Sequence, residues 1–250
     1  MLSALRALWR MAWAVQHLLQ GMATIALYFG KADQAQRHAH IRRWSAGLLR
    51  KLGLRLELQG QWPQQPVLLV ANHISWLDIA AIHAACPQAR FVSKADVLAW
   101  PLVGWLVREA GTLFIERTSR RDAMRVLHQM TAALEAGDTV AVFPEGTTGP
   151  GPELLPLHAN LLQAAISANV PLAPVLLRFS QPGQTFSSAA QFLGQTTLLQ
   201  SFWRVASTAD MAVHVHALPL LPGSGMDRRA LCARLAQVLG EALQERVSPR

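Results

Sequence analysis

Charge is scarce in this chain. Asp, Glu, Lys and Arg make up 15% of its 250 residues, against about a quarter in an ordinary soluble domain. Hydrophobic residues reach 51%, with a mean hydropathy of +0.20. A surface so short of charge is expected to be covered in part by lipid. Acidic residues are the scarcer kind: 15 face 23 Lys and Arg, for a formal net charge of +8. That excess points to an anionic partner. No Lys/Arg stripe interleaved with aromatic residues accompanies it, and no recognition motif, so nucleic acid is set aside. A negatively charged membrane face accounts for both the charge and the hydrophobicity.

Cysteine is nearly missing. Cys86 and Cys232 are the only two. They are far apart in apolar helical contexts, which excludes a disulfide framework and reads as two buried thiols in a reducing compartment. No Gly-x-Ser-x-Gly elbow occurs, which removes the usual nucleophilic hydrolase signature. Metal spacing is lacking too: His38 and His40 diverge on a helix, and His214 and His216 share a strand face without a third ligand. No internal repeat stands out, and the length allows one domain, or one domain plus an appended segment.

The appended segment would be residues 1–51. Residues 11–30 carry no charge and approach the length of a spanning helix. Gln16, His17, Gln20 and Thr24 interrupt them, while Trp9, Trp13 and Tyr28 stand where interfacial aromatics would sit. A membrane helix, spanning or lying in the interface, is expected, with a core helix as the plainer reading. Residues 31–51 add Arg37, Arg42, Arg43, Arg50 and Lys51 beside Trp44, Leu48 and Leu49, a basic amphipathic pattern suited to anionic headgroups.

From residue 52 to 250, short apolar runs alternate with helical periodicity. Strand patterns fall at 54–58, 67–71, 91–93, 112–115, 139–143, 172–179 and 211–216, and helical ones at 76–85, 100–110, 119–136, 156–169 and 226–247. Residues 180–200 show no firm pattern. The alternation predicts an α/β fold, a mostly parallel or mixed sheet flanked by helices.

Into this pattern falls Asn72-His73-Ile74-Ser75-Trp76-Leu77-Asp78, between a buried-strand run and a helix. On a regular helix, residues five apart lie about 140° apart, on different faces. His73 and Asp78 can therefore meet only if the segment straddles the strand-to-helix turn. Ser75-x-x-Asp78 resembles a capping box, which predicts Ser75 at the N-cap and Asp78 in the first turn. A carboxylate on one ring nitrogen fixes the tautomer and leaves the other free to take a proton from a hydroxyl.

Three further segments follow in order. Asn72-His73-x-Ser75-x-x-Asp78 resembles the first motif of the glycerolipid acyltransferases, the family that includes 1-acylglycerol-3-phosphate acyltransferase. Gly111-Thr112-Leu113-Phe114-Ile115-Glu116-Arg117 is similar to its second, Phe143-Pro144-Glu145-Gly146-Thr147 to its third, and Val170-Pro171-Leu172-Ala173-Pro174-Val175 to its fourth. The resemblance implies acyl transfer from acyl-CoA or acyl carrier protein to the hydroxyl of a lysolipid, first of all 1-acylglycerol-3-phosphate, on the cytoplasmic face of a membrane. It implies no cofactor and no metal. His73 would be the base and Asp78 its orienting acid. Asn72, Lys94, Phe114, Arg117, Glu145, Gly146, Thr147 and Thr148 would contact substrate, with Arg117 and the 145–147 loop on the headgroup. Ser75 stands too close to His73 for a usual triad, so direct transfer without an acyl-enzyme is expected. The chain departs from phosphate-binding members at Thr148, where arginine is common, and at Leu157-His158, where a Phe-Lys pair is common. Fewer cations would face a phosphomonoester, which brings lyso-ornithine lipid or another lysolipid forward as the alternative acceptor. A non-catalytic membrane-binding protein is the remaining alternative, and the presence of both His73 and Asp78 argues against it.

Overall fold

The computed structural model describes residues 2–99, 103–115 and 120–247. Helix α1 (Leu2–Thr24) runs on through a π-helical turn (Ile25–Phe29), and α2 (Gln34–Lys51) opens with a capping box between Asp33 and Gln36. Then come β1 (Leu54–Gln59), β2 (Leu68–Ala71), α3 (Leu77–Ala85), β3 (Ala89–Lys94), α4 (Val103–Glu109) and β4 (Leu113–Ile115). The second half runs α5 (Arg120–Glu135), β5 (Thr139–Val142), α6 (Gln163–Ala168), β6 (Leu172–Ser180), α7 (Leu198–Ser207), β7 (Met211–Ala217) and α8 (Arg228–Val247).

The strands form one mixed sheet in the order β1-β7-β6-β2-β5-β3-β4. Neighbours are parallel except β6 and β7, so β1 and β7 run against the other strands. The α/β expectation holds. Successive strand residues point to opposite faces, and β2 divides accordingly. Leu69 and Ala71 join a core with Leu48 and Leu49 of α2, Leu77, Ala81 and Ile82 of α3, and Val205 of α7. Leu68 and Val70 join a second core with Val126, Met130 and Leu134 of α5, Ala164 and Ala165 of α6, and Leu231, Leu235 and Leu239 of α8. A strand buried on both faces has to be apolar throughout, which is why residues 67–71 read as a continuous run.

Two elements depart from the sequence pattern. The helix expected over 156–169 is shorter: a 3₁₀ turn (Ala159–Leu162) leads into α6. Residues before it are held extended because the His158 N–H donates to the Pro144 carbonyl (2.8 Å) rather than to a helical partner. Helix α7 begins inside the stretch that showed no firm pattern. Its start was written in the sequence as a capping box between Thr197 and Gln200.

The spanning reading of the N-terminal segment is corrected: among the described residues no helix is long and apolar enough to cross a membrane. His17 of α1 serves packing, while Gln16 and Gln20 stay exposed. His17 Nε2 donates to the Trp44 carbonyl (2.8 Å) and Trp44 Nε1 donates to the His17 carbonyl (3.0 Å), with the two rings stacked at 5.4 Å. Gly21 and Gly47 make the approach possible, since a Cβ on Gly21 would lie 2.3 Å from the Trp44 indole and one on Gly47 2.8 Å from the His17 ring. Arg6 and Arg10 donate to the Ser207 and Ala206 carbonyls at the C-terminal end of α7 (3.2 and 3.1 Å), where a helix favours cations.

His83 of α3 is buried edge-on against Phe91, with Nε2 donating to the Ala89 carbonyl (3.0 Å). Burial pushes its pKa down to about 4 from the usual 6.5. The unfolded chain therefore takes up this proton first, and the stability present above the unfolded pKa is lost as pH falls toward the folded one. Denaturant titrations should show a loss of about 2 kcal/mol between pH 7 and pH 5. His83→Leu should flatten that limb; an unchanged limb would assign it to other groups.

Candidate active site

The C-terminal ends of β2, β5, β3 and β4 share one edge of the sheet. Asn72 follows β2 directly and is only 2% exposed. Its side chain takes the place of a strand backbone: Nδ2 donates to the Leu177 carbonyl (3.0 Å) and Oδ1 accepts the Leu177 N–H (2.7 Å). Both ends of the amide are occupied. Asn72 is thus an anchor that prolongs the β2–β6 ladder.

The anchor delivers His73 to the turn before α3. Its Nδ1 donates to Asp78 Oδ2 at 2.8 Å, and the carboxylate is fully buried. The same oxygen accepts the N–H groups of Ile74 (2.6 Å) and Ser75 (2.9 Å). Three donors on one oxygen are what a desolvated carboxylate requires. The imidazole stacks on Phe143, with ring centroids 4.0 Å apart and planes 11° apart, and its side chain is 20% exposed. His73 Nε2 makes no hydrogen bond among the described residues.

Only the acid half of the expected capping box forms. Asp78 lies in the first turn of α3, but Trp76 is the N-cap and makes no side-chain cap. The Ser75 hydroxyl is buried without a partner among the described residues, as is Asp78 Oδ1. The carboxylate, already reaching toward the imidazole, satisfies the turn's N–H groups and leaves the hydroxyl nothing to cap.

A second carboxylate holds the histidine from behind. Glu145, 5% exposed, accepts the His73 N–H through Oε1 (2.8 Å) and the Leu155 N–H through Oε2 (3.0 Å). Burial raises its pKa, against the pull of these two N–H groups. The Gly149 N–H donates to the His73 carbonyl (2.7 Å). Gly146 sits at φ +69°, where glycine is favoured, and spends its N–H on the Phe143 carbonyl (3.1 Å). The Thr148 hydroxyl donates to the Phe192 carbonyl, and the Phe192 N–H donates to Ile74 (3.1 Å). Glu145, Gly146 and Thr148 therefore build the loop through these bonds. Thr147 remains exposed at the tip.

The other expected contacts lie further along the edge. Lys94 ends β3 opposite Ile115, and Phe114 is half-buried in β4 opposite Ser93. Phe114 stands three strands from β2, about 14 Å at the usual strand spacing. Arg117 lies outside the described residues. Two partners of the site were not singled out from the sequence. Phe143 supplies the platform under the imidazole, and the strand pattern over 139–143 could have pointed to it. Trp76 stacks on Phe202 (5.8 Å) and donates from Nε1 to Ser201 Oγ (3.1 Å), coupling the motif to α7.

A sequence model of the family described as Acyltransferase matches residues 54–178. The lyso-ornithine lipid O-acyltransferase of Pseudomonas aeruginosa is 37% identical over 208 residues, 83% of this chain and 80% of that protein. The 1-acyl-sn-glycerol-3-phosphate acyltransferase of Neisseria meningitidis is 36% identical over 172 residues, 68% of this chain and 66% of that protein. Among solved structures, that of the 1-acyl-sn-glycerophosphate acyltransferase PlsC from Thermotoga maritima superposes with a TM-score of 0.75 at 20% identity, covering 98% of this chain and 96% of that one. This last likeness establishes the fold.

If Asn72 is an anchor, its removal must cost stability. Asn72→Ala strands a buried N–H and a buried C=O at Leu177, and denaturant unfolding should show a loss of about 2–4 kcal/mol. Asn72→Asp should be no better, because an oxygen would then face the Leu177 carbonyl. Unaltered unfolding in both variants would remove the anchoring role.

Proposed function

The chain belongs to the acyltransferase family, and from that premise we propose that it moves a fatty acyl group from a thioester to the free hydroxyl of a lysolipid, with His73 as general base. The observation that carries this reading is the 2.8 Å bond from His73 Nδ1 to a fully buried Asp78. It leaves the Nε2 lone pair as the proton acceptor. As the lipid hydroxyl attacks the thioester carbonyl, its proton passes to Nε2. The carbon–sulfur bond then breaks, and the imidazolium returns the proton to the thiolate. Asp78 orients the ring and stabilises its charged form, as the acid of a hydrolytic triad does. Phe143 keeps the ring from rotating, and Glu145 keeps its backbone from drifting. The acyl donor is acyl-CoA or acyl carrier protein.

The acceptor of first resort is 1-acylglycerol-3-phosphate, with Arg117 and Lys94 as its cations. A specific observation favours a second acceptor. At position 148 a threonine stands where phosphate binders commonly carry arginine, and its hydroxyl is committed to Phe192. The Pseudomonas aeruginosa relative, matched over 83% of this chain, is by name a lyso-ornithine lipid O-acyltransferase. A headgroup with less net negative charge suits a loop with fewer cations.

We place the reaction at a membrane surface, on its cytoplasmic side. One face of α1 packs inward through Ala7, Ala14, His17 and Gly21, while Leu2, Leu5, Leu8, Trp9 and Leu19 stay exposed. Leu199 and Trp203 of α7, which packs beside α1, are exposed as well. Such a helix lies in the interface with its apolar face among acyl chains.

Two measurements test this function. Purified chain given one labelled acyl thioester should acylate lyso-ornithine lipid or 1-acylglycerol-3-phosphate in preference to lysophospholipids with larger headgroups. His73→Ala should lower that rate about 10³-fold with melting unchanged, and retained activity would remove the proposed base. In vesicle flotation with anionic lipid, Leu8→Glu/Trp9→Glu should stay in the soluble fraction while the parent floats. Equal flotation would take α1 away from the membrane.

A further inference from the structure

A second histidine is held between an acid and a hydroxyl, away from the residues that act in the proposed transfer. Glu57 of β1 and His214 of β7 are register partners, and His214 Nδ1 lies 2.9 Å from Glu57 Oε2. Ser180, the last residue of β6, places Oγ 2.7 Å from His214 Nε2. With Nδ1–H donated to the carboxylate, Nε2 of the neutral ring accepts the serine proton. The order acid, imidazole, hydroxyl is that of a nucleophilic relay. All three groups come from different strands of one sheet, so backbone pairing holds them in place.

This cluster is separate from His73. Leu177 and Phe179 of β6 point into the core that also packs Phe143, the platform of His73. By alternation Arg178 and Ser180 face the other side of the sheet. Ser180 is also three residues beyond the Asn72 anchor at Leu177, about 10 Å along the strand. Solvent reaches the cluster: the Glu57 and His214 side chains are 42% and 18% exposed. Arg178, opposite His214 in the ladder, sets a cation on the same face.

We propose that Ser180 is a nucleophile activated by His214 and Glu57, and that this chain carries a second, esterase-type site for water-accessible carboxylic esters and thioesters. Ser180 Oγ bonds to the carbonyl carbon while its proton passes to His214 Nε2. The bond from that carbon to the leaving oxygen or sulfur breaks, and His214 protonates the leaving group. Water then attacks acyl-Ser180, gives its proton to His214, and releases the acid with the serine hydroxyl restored. Glu57 orients the ring throughout, and Arg178 offers positive charge to the developing oxyanion.

The full chain, unsubstituted, is treated with a fluorophosphonate probe and digested, and the adduct is located by mass spectrometry. Phosphonylation, with fluoride as leaving group, is expected on Ser180, and its rate should fall at least 100-fold in His214→Ala and about tenfold in Glu57→Gln. p-Nitrophenyl butyrate hydrolysis should disappear in Ser180→Ala, with an unchanged melting temperature confirming the fold. No adduct at Ser180, or an adduct that forms equally fast without His214, overturns the site. Ester hydrolysis that survives Ser180→Ala overturns it as well.

Discussion

One buried carboxylate oxygen governs the centre of this protein. Asp78 Oδ2 accepts the imidazole N–H of His73 and the backbone N–H groups of Ile74 and Ser75, in a carboxylate with no solvent exposure. A charge removed from water is tolerated only where donors replace its hydration. The chain supplies them by wrapping the residues from 73 to 75 around the oxygen, and that wrapping makes the strand-to-helix turn. The same bonds fix the tautomer of His73. Loop geometry and chemical readiness are thus set by a single group.

A second buried acid supports the first from the loop after β5. Glu145 grips the backbone of His73 on one side and that of Leu155 on the other. The imidazole is then held at several points: Asp78 at Nδ1, Phe143 against a face, Glu145 and Gly149 on the main chain. Confinement of this kind lowers the reorganisation needed when charge develops on the ring. The route outward from this rigid centre passes through Trp76 to Ser201 and Phe202 of α7, and from α7 to α1 through Arg6 and Arg10. Packed elements therefore link the helix with the exposed apolar face to Trp76, in the motif that carries the base.

Much of this was legible in the residues, and the misses share a cause. The buried strands showed as apolar runs, and the pairing of His73 with Asp78 followed from their spacing and position. Ser75 misled because a capping signature is local, whereas Asp78 was drawn to the imidazole and to the turn's N–H groups together. The bonds of Gly146 and Thr148 to Phe143 and Phe192 could not be read beforehand, because these partners reveal themselves only when the loop folds back. Residues 11–30 resembled a membrane span because hydropathy averages over all faces of a helix. A polar residue on the inward face of α1, His17, turned out to be a packing group.

Sequence alone determined the α/β class, the order of its buried strands and the juxtaposition of an imidazole with a carboxylate, because these depend on periodicity and short-range spacing. Tertiary structure alone decided which polar groups stay available. Asn72 spends its amide 105 residues away on Leu177, Glu145 spends its carboxylate on His73 and Leu155, and Ser180 meets His214 and Glu57 only across three paired strands. A hydrogen-bonding group is available for chemistry only after the fold has taken what its buried backbone requires, and that requirement is set by contacts no local pattern encodes.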